Sequence, residues 1–543
     1  MEMNNEMKIN ENRDIFAKTC SSIINGVISF FVILLVMLFP LIYHDSYFDI
    51  LETKYRVYWI FVVAMLVICL VLSLIMLAVD FLENNGIHAR TLFSRLLPQN
   101  WRETFCVADI AVLIFWLILF ISTFQSEYFF ESIWGNEGRY TGLFLLTLYV
   151  ASYFVISRFL HFKDWLVELF LLSGMVMCII GITDYFQMDV LQFRGFGGIH
   201  PEQSTSFTST VGNINTYTAY VALIMAVSGA LFATSKRTHK IVWYYFCLVI
   251  SFFAIIMGCS DNAYLALGAL FAFLPLALFR YKSGIRRYLV IVATFFTVVQ
   301  VIDWINQKYA EAVIGLDSLF QIIVTFSGLI YIVVVLWIVV AALYGFNRKS
   351  EMETDIKNQY FVKGWMIFLA IAFFVAGYAF FDANFCGNAE RYGGLGHYLV
   401  FDDSWGTNRG YIWRKSIELY RGFSPMHKWF GYGPDTFGIL TTNKIRPEMV
   451  QATSQVFDNA HNEYLQYLIT IGPLGLAAYV IFLVSSIIRM INQWRKSPYI
   501  IGCCYAVICY AVQAVVNLNL PIATPVMWLL LSLGMAACRR KES

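Results

Sequence analysis

The sequence predicts an all-α fold: a polytopic bundle of about fourteen transmembrane helices with one large loop on the outer side. Three observations predict it. The 543 residues are 59% hydrophobic and only 14% charged, against about 45–50% and about 25% in an ordinary soluble domain. The apolar residues fall in runs close to the ~20 that a helix needs to cross the hydrocarbon core. The basic residues are spread with the asymmetry of a membrane topology. The same figures exclude a soluble enzyme built on one core and a disordered chain. A net charge of +2 argues against a nucleic-acid partner.

The first apolar run, Ile23 to Tyr43, follows a polar start of mixed charge. It is too long for a signal-peptide core and lacks a small-residue cleavage pattern, so it reads as a retained helix. Helices are expected at 22–43, 57–79, 106–124, 140–157, 165–183, 214–233, 241–258, 262–280, 287–304, 318–345, 363–382, 463–488, 499–517 and 522–538. With the N-terminus in the cytoplasm and the loops alternating, the inner segments hold 25 Lys and Arg. The short outer loops hold five: Lys54, Arg56, Arg139, Arg194 and Lys308. One missed helix would invert every later loop, so the split supports the whole list and puts both termini inside. Three units follow: an N-terminal bundle of about eleven helices over 1–382, a large extracytoplasmic loop over 383–462, and about three C-terminal helices over 463–543.

The large loop is the exception to the charge rule, which does not bind long segments. It carries Arg391, Arg409, Arg414, Lys415, Arg421, Lys428, Lys444 and Arg446. Long loops are functional or disordered, and Trp405, Trp413 and Trp429 argue for order. Within it, Asn408 to Arg421 has helical spacing: Trp413, Ile417 and Tyr420 share a face, and Glu418 is placed to pair with Arg414 and Arg421. Gly422 and Pro425 stop it. This amphipathic helix is expected to lie on the membrane surface. There is no internal repeat. The 11 cysteines sit mostly in apolar runs, with Cys386 in the large loop, and suggest neither a disulfide framework nor a zinc site.

Two stretches carry the chemistry. WFGYGPDTF spans Trp429 to Phe437, and DNAHNEYLQYLITIGPLGL spans Asp458 to Leu476. The second begins polar and becomes a membrane helix, so His461 and Asn462 sit at its outer mouth. An imidazole titrates near neutrality and suits general-base work. Gly472 and Gly475, deeper in, are small enough to let neighbouring helices approach.

His461, Asn462, nine residues, Gly472, two residues and Gly475 resemble the pattern H-[NSQ]-x9-G-x-x-[GTY] of the O-antigen ligase family, which also holds polysaccharide polymerases and protein-glycosylating ligases. GNEGRYTG (Gly135 to Gly142) is similar to an R-x-x-G stretch before the fourth helix of some members, and TSTVGNINTYTAY (Thr208 to Tyr220) to a G-N-x-N stretch opening a later helix. The resemblance is tight over 408–477 and loose elsewhere. It implies a GT-C-like membrane fold in the bacterial cytoplasmic (inner) membrane, with the active site facing outward. It also implies inverting, metal-independent transfer from a polyprenyl-diphosphate-linked glycan to a glycan, lipid, protein or wall acceptor, with no cofactor. His461 is the implied catalytic base, and Arg409, Arg414, Arg139 and Asn462 the implied substrate-binding residues.

One departure stands out. Family members place a Ser-Arg pair at the start of a central helix, where this chain has GCSDNAYLAL with Ser260, Asp261 and Asn262. The arginine is missing, and an aspartate would repel phosphate; either another arginine, Arg139 or Arg194, substitutes for it or donor recognition differs. Gly431 and Gly433 read as turn residues, and Asn213 and Asn215 as helix caps. Asp402–Asp403 and Asp45 with Asp49 are solvated carboxylates rather than metal ligands. Asp109, Glu168 and Asp184, in or beside membrane helices, motivate the rival reading of a transporter or flippase for lipid-linked glycans.

Overall fold

The computed structural model describes residues 2–95, 97–193, 205–316, 319–346 and 359–539. Arg194, Arg348, Lys349, Lys357, Arg540 and Lys541 lie outside the described residues. Among the described residues the fold is all-α apart from a two-residue antiparallel pair, Phe207–Thr208 with Gly212–Asn213. Among the described residues ten helices are long and apolar enough to cross a membrane. Four shorter apolar helices, Leu143–Phe159, Ala263–Leu278, Leu329–Gly345 and Thr524–Arg539, complete the set, one for each expected run.

Three boundaries differ, each for a local reason. The first helix runs over Glu2–Ile33 and widens into a π-helical turn, Leu34–Leu38, before Pro40, which cannot continue it. The run at 318–345 is broken: Leu319–Val324 and Leu329–Phe346 are separate helices around Ser327 and Gly328. The second helix starts at Ile50, so Lys54 is part of it and not of a loop. Its side chain is fully buried and its Nζ donates to the carbonyls of Phe39 (2.8 Å) and Pro40 (2.7 Å). The last carbonyls of a helix lack partners and carry negative dipole charge, so the ammonium caps the first helix.

Ile214–Thr234 is the axis of the bundle. It is apolar all round and almost wholly buried, which marks an interior helix. Pro498–Gln513, Thr238–Met257, Ala263–Leu278 and Trp165–Tyr185 pack around it.

Polar clusters at the two ends of the bundle test the alternation of the helices. At one end, the buried Asp109 carboxylate accepts from Tyr153 (2.8 Å), Arg158 (2.9 Å) and Arg539 (2.8 Å). At the same end Glu168 accepts from Trp243 (3.0 Å) and Tyr499 (2.6 Å). Alternation places all of these segments on the side expected to be cytoplasmic. At the other end Thr210 donates to the Pro40 carbonyl (2.8 Å), Tyr185 to Asn306 (2.6 Å) and Asn517 to the Asn215 carbonyl (3.2 Å). Asp184 holds the Phe207–Asn213 turn through Thr208 (3.2 Å) and the Ser209 amide (2.6 Å). The three carboxylates that raised the transporter reading are thus committed to joining helix ends.

The large loop folds on itself. Trp405–Arg421, Pro425–Phe430 and Phe437–Thr453 enclose a second small core of Tyr411, Ile412, Phe423, Tyr432, Phe437, Leu440, Met449 and Phe457. Of the face of Trp405–Arg421 predicted to be apolar, Trp413, Ile417 and Tyr420 are half-buried, and Trp413 and Tyr420 pack against this core. The charged side of that helix is as expected in part: Glu418 pairs with Arg414 (2.8 Å), but its second partner is Lys415 (2.9 Å) and not Arg421.

Candidate active site

The helix that carries the H-N-x9-G pattern, Glu463–Gln493, begins with Asn462 as its N-cap. The Asn462 side-chain oxygen accepts from the amides of Tyr464 and Leu465, both at 3.0 Å, as an N-cap asparagine should. That use commits the oxygen to the helix. At Gly472 the backbone leaves the helical region (φ 71°, ψ 176°), and Pro473 follows. A proline has no N–H to give to the Ile469 carbonyl, and the turn at Gly472 removes the donor that Thr470 would have had. A loop strand supplies both: Tyr432 N donates to Ile469 (3.0 Å) and Gly433 N to Thr470 (2.8 Å).

The approach is very close. A Cβ on Gly472 would lie 2.2 Å from the Trp429 carbonyl oxygen, and one on Gly431 would lie 2.3 Å from the Ile471 nitrogen. Gly472 was expected to admit a neighbouring helix. It admits the backbone of WFGYG instead, because an opened helix offers hydrogen-bonding groups that an intact one does not. Ser122, which donates to the Thr470 carbonyl (2.9 Å), and Ser126, which donates to the Tyr432 carbonyl (2.7 Å), hold the same junction from Val107–Phe124 and the turn after it.

A second clamp joins the large loop to the GNEGRYTG stretch. Buried Asp435 accepts from the amides of Asn136 (2.7 Å) and Thr141 (3.0 Å), and its carbonyl accepts from the Asn136 side chain. Burial pushes the Asp435 carboxyl up to about 6, against the pull of those two amides. Beside it Arg139 donates to both oxygens of Asp458, at 2.9 and 2.6 Å, in the bidentate geometry that a guanidinium favours.

These clamps put His461 among charges. Its own backbone is strained (φ 50°), and its amide donates to Asn459 Oδ1 (2.9 Å). The preceding carbonyl, of Ala460, accepts from Trp413 Nε1 (2.9 Å), and the Phe457 ring meets the imidazole edge-on at 5.7 Å. Burial pushes the imidazole down to about 3; the positive charges of Arg409 and Arg139 push the same way, and Asp458 opposes them. The ring is neutral in the resting protein and within electrostatic reach of two guanidinium groups. Arg409 donates to the Gly406 carbonyl (3.0 Å), and its buried Nε has no partner among the described residues. Burial holds Arg409 below its ordinary range, with Asp261 pulling it back up.

The structure thus brings His461, Arg409 and Arg139 together. Arg414, five residues beyond Arg409, points off another side of the helix and holds Asp403 (2.9 and 2.6 Å) and Glu418 (2.8 Å). Asp402 bonds Ser404 (2.7 Å), and Asp49 holds His44 (2.7 Å) and Thr53 (3.1 Å). Asn213 is the N-cap of Ile214–Thr234, but Asn215 is not a cap: its side-chain oxygen accepts from Ser260 (2.7 Å), joining the G-N-x-N and G-C-S-D-N stretches. Asp261 lies within electrostatic reach of Arg409 and accepts from the Leu319 amide at 3.4 Å.

Sequence reasoning missed Asp435 and Asp458. Each acts across about three hundred residues of chain, and an outer-loop aspartate with a distant partner has no local signature. Of the two pattern glycines, Gly472 is the more demanding: its positive φ and a backbone oxygen 2.2 Å from an added Cβ leave no room, whereas the nearest atoms to a Cβ on Gly475 belong to the Ile471 side chain, from 2.8 Å. Gly472→Ala is therefore expected to lower the unfolding temperature of the detergent-solubilised protein well beyond Gly475→Ala, as differential scanning fluorimetry would read.

No curated protein matches the chain. Residues 312–480 match the family model described as O-antigen ligase. The match includes Arg409, Arg414, His461, Asn462 and Gly472, while Arg139 and Asp261 precede it. Taken together, the apolar helices make this a multi-pass membrane protein, and over residues 312–480 it is similar to the O-antigen ligase family.

Proposed function

We propose that the protein is an inverting glycosyltransferase that moves a glycan from a polyprenyl-diphosphate carrier to an acceptor hydroxyl at the outer face of the bacterial cytoplasmic membrane. One observation supports this reading above the others: a neutral imidazole, His461, shares a site with Arg409, whose buried Nε has no partner. The first is the state a general base needs, and the second is a donor shaped for a phosphate oxygen.

The step follows from these groups. The acceptor hydroxyl gives its proton to His461 while its oxygen bonds to the anomeric carbon. The bond from that carbon to the phosphate oxygen breaks on the opposite face, and the electron pair leaves with the diphosphate. One in-line displacement inverts the centre. Arg409 meets the growing phosphate charge, and Arg139 exchanges part of its bond to Asp458 for a phosphate oxygen. These guanidinium groups supply the positive charge for the leaving group, so no metal is assigned a role in this reading. Arg414 contributes from its own ion-pair network, and Asn462 by fixing the helix start behind His461. Loops that alternation places outside carry every one of these residues, and the lysine and arginine asymmetry orients them outward.

The test is purified protein with a lipid-linked glycan and an acceptor. His461→Ala is expected to lower the transfer rate by roughly 10² or more, in the range of general-base losses, with the protein still folded. Transfer at the wild-type rate would overturn the role of His461 as the base, and no transfer by the unaltered protein would overturn the transferase reading.

The pH dependence carries a sign. The free imidazole protonates near 6.5 and the folded one near 3, so His461 stays unprotonated as pH falls, and the folded state loses relative stability between those values. No acid limb from His461 is expected in kcat/KM for the donor above about pH 4. A bound diphosphate cancels the two guanidinium charges and makes the ring more basic, so the acid limb of kcat should lie at higher pH than that of kcat/KM. A kcat/KM limb at the ordinary histidine pH that disappears in His461→Ala would contradict this.

A further inference from the structure

Beside His461 the large loop builds an aromatic surface that the transfer step does not use. The rings of Phe401, Trp405 and Trp413 meet with centroids 5.4 to 6.1 Å apart. Their planes are inclined by 39° to 55°, so the surface is bent instead of flat. Phe401 is 41% exposed and both tryptophans are partly so.

The backbone is strained to make this surface. Gly406, Thr407 and Asn408 all take left-handed conformations (φ 60°, 57° and 67°), two of them at residues with side chains. Such a run costs conformational energy and persists only where the surroundings enforce it, a mark of functional segments. Here it turns Trp405 back onto Trp413, which a regular helix would keep two turns apart. It also places Arg409 at its end, bonded to the Gly406 carbonyl (3.0 Å). The segment is held by Trp405 N to Asp402 O (3.2 Å), Asn408 N to Ser404 O (3.2 Å) and Tyr411 N to Asp403 O (3.1 Å).

Two occupants suit partly exposed indoles, a sugar ring and a lipid interface. The N–H groups decide between them. An interfacial tryptophan directs its N–H to headgroups and water. Here Trp405 donates to the Tyr398 carbonyl (3.0 Å) and Trp413 to the Ala460 carbonyl (2.9 Å). Their polar edges are turned into the protein and their remaining apolar ring surface is what the site is offered. Ala460 is the residue before His461, so this surface adjoins the imidazole.

We propose that Phe401, Trp405 and Trp413 form the stacking platform for the acceptor, and that the acceptor is therefore a sugar and not a protein side chain. The proposal rests on the transferase reading above. The C–H face of a pyranose lies on the rings, which brings one of its hydroxyl groups to His461, while Arg409 on the same segment takes the diphosphate of the donor. Acceptor and donor would thus be ordered by one strained turn.

The experiment uses the full chain in nanodiscs with lipid-linked donor, and short soluble oligosaccharides cut from the producing organism's own surface polysaccharide. Trp405→Leu keeps an apolar side chain and loses the ring; Trp405→Phe keeps a ring, and both lose the indole N–H. Trp405→Leu is expected to raise the acceptor KM about tenfold, with donor KM unchanged and kcat within about twofold. Trp405→Phe should restore most of the loss. The wild-type protein and His461→Ala should both show oligosaccharide-dependent quenching of tryptophan fluorescence that Trp405→Leu weakens. An unchanged acceptor KM in folded Trp405→Leu would overturn the platform, as would Trp405→Leu weakening attachment to anionic phospholipid vesicles alone, or transfer to a peptide in preference to the oligosaccharide. If His461→Ala transfers normally while its fluorescence titration remains intact, the role of His461 as the base fails and the sugar platform stands; if the wild-type protein transfers nothing while the titration remains intact, the transferase reading fails and the platform stands.

Discussion

The site depends on a helix that is opened so that a loop can bond to it. Pro473 removes one donor and Gly472 turns the chain out of the helical region, leaving the carbonyls of Ile469 and Thr470 to be satisfied by Tyr432 and Gly433. An unmade hydrogen bond in a buried place costs about 1–3 kcal/mol. The loop therefore has one position in which both faults are repaired. From that position follow the Asp435 clamp on Asn136 and Thr141, the Arg139–Asp458 pair, and the placement of Trp413 over Ala460. The two pattern elements, the histidine and the first glycine, are thus mechanically linked. The glycine fixes the loop that surrounds the histidine.

Charge is arranged around the imidazole so that the resting site is nearly balanced. Arg139 is held by Asp458, and Arg409 feels Asp261. A balanced, partly buried set is one that an anionic ligand reorganises: each phosphate oxygen that takes a guanidinium frees a carboxylate and removes a charge that opposed protonation of His461. This gives the departure at Asp261 a physical meaning. The aspartate does not replace the family's arginine; it sits opposite the arginine that the loop provides.

The membrane architecture was legible in the sequence because the hydrocarbon core demands long apolar runs and the charge asymmetry checks their number. Among the described residues every expected run is helical, and the errors are local: one run is split in two around Ser327 and Gly328, and Lys54 is drawn into a helix by carbonyls it caps. The site was legible only in part. His461, Arg409 and Arg139 are named by resemblance, since nothing in spacing says that residues 139, 409 and 461 meet. Arg414 and Asn462 were named on the same ground, and the structure gives them local partners. Asp435 and Asp458 were invisible because their partners are distant. The aromatic surface was half visible: the tryptophans were noted as a sign of order, but the left-handed turn that folds Trp405 back is read only from the backbone.

The central claim is that the mouth of Glu463–Gln493 holds the diphosphate of the donor against Arg409 within reach of His461. The most direct measurement is an electron cryomicroscopy structure of the protein in nanodiscs with a non-hydrolysable polyprenyl-diphosphate analogue. The account predicts the phosphate oxygens on Arg409 Nε and Arg139, with the anomeric position facing the imidazole. A diphosphate seated on residues remote from His461, with the Arg409 environment unchanged, would contradict it.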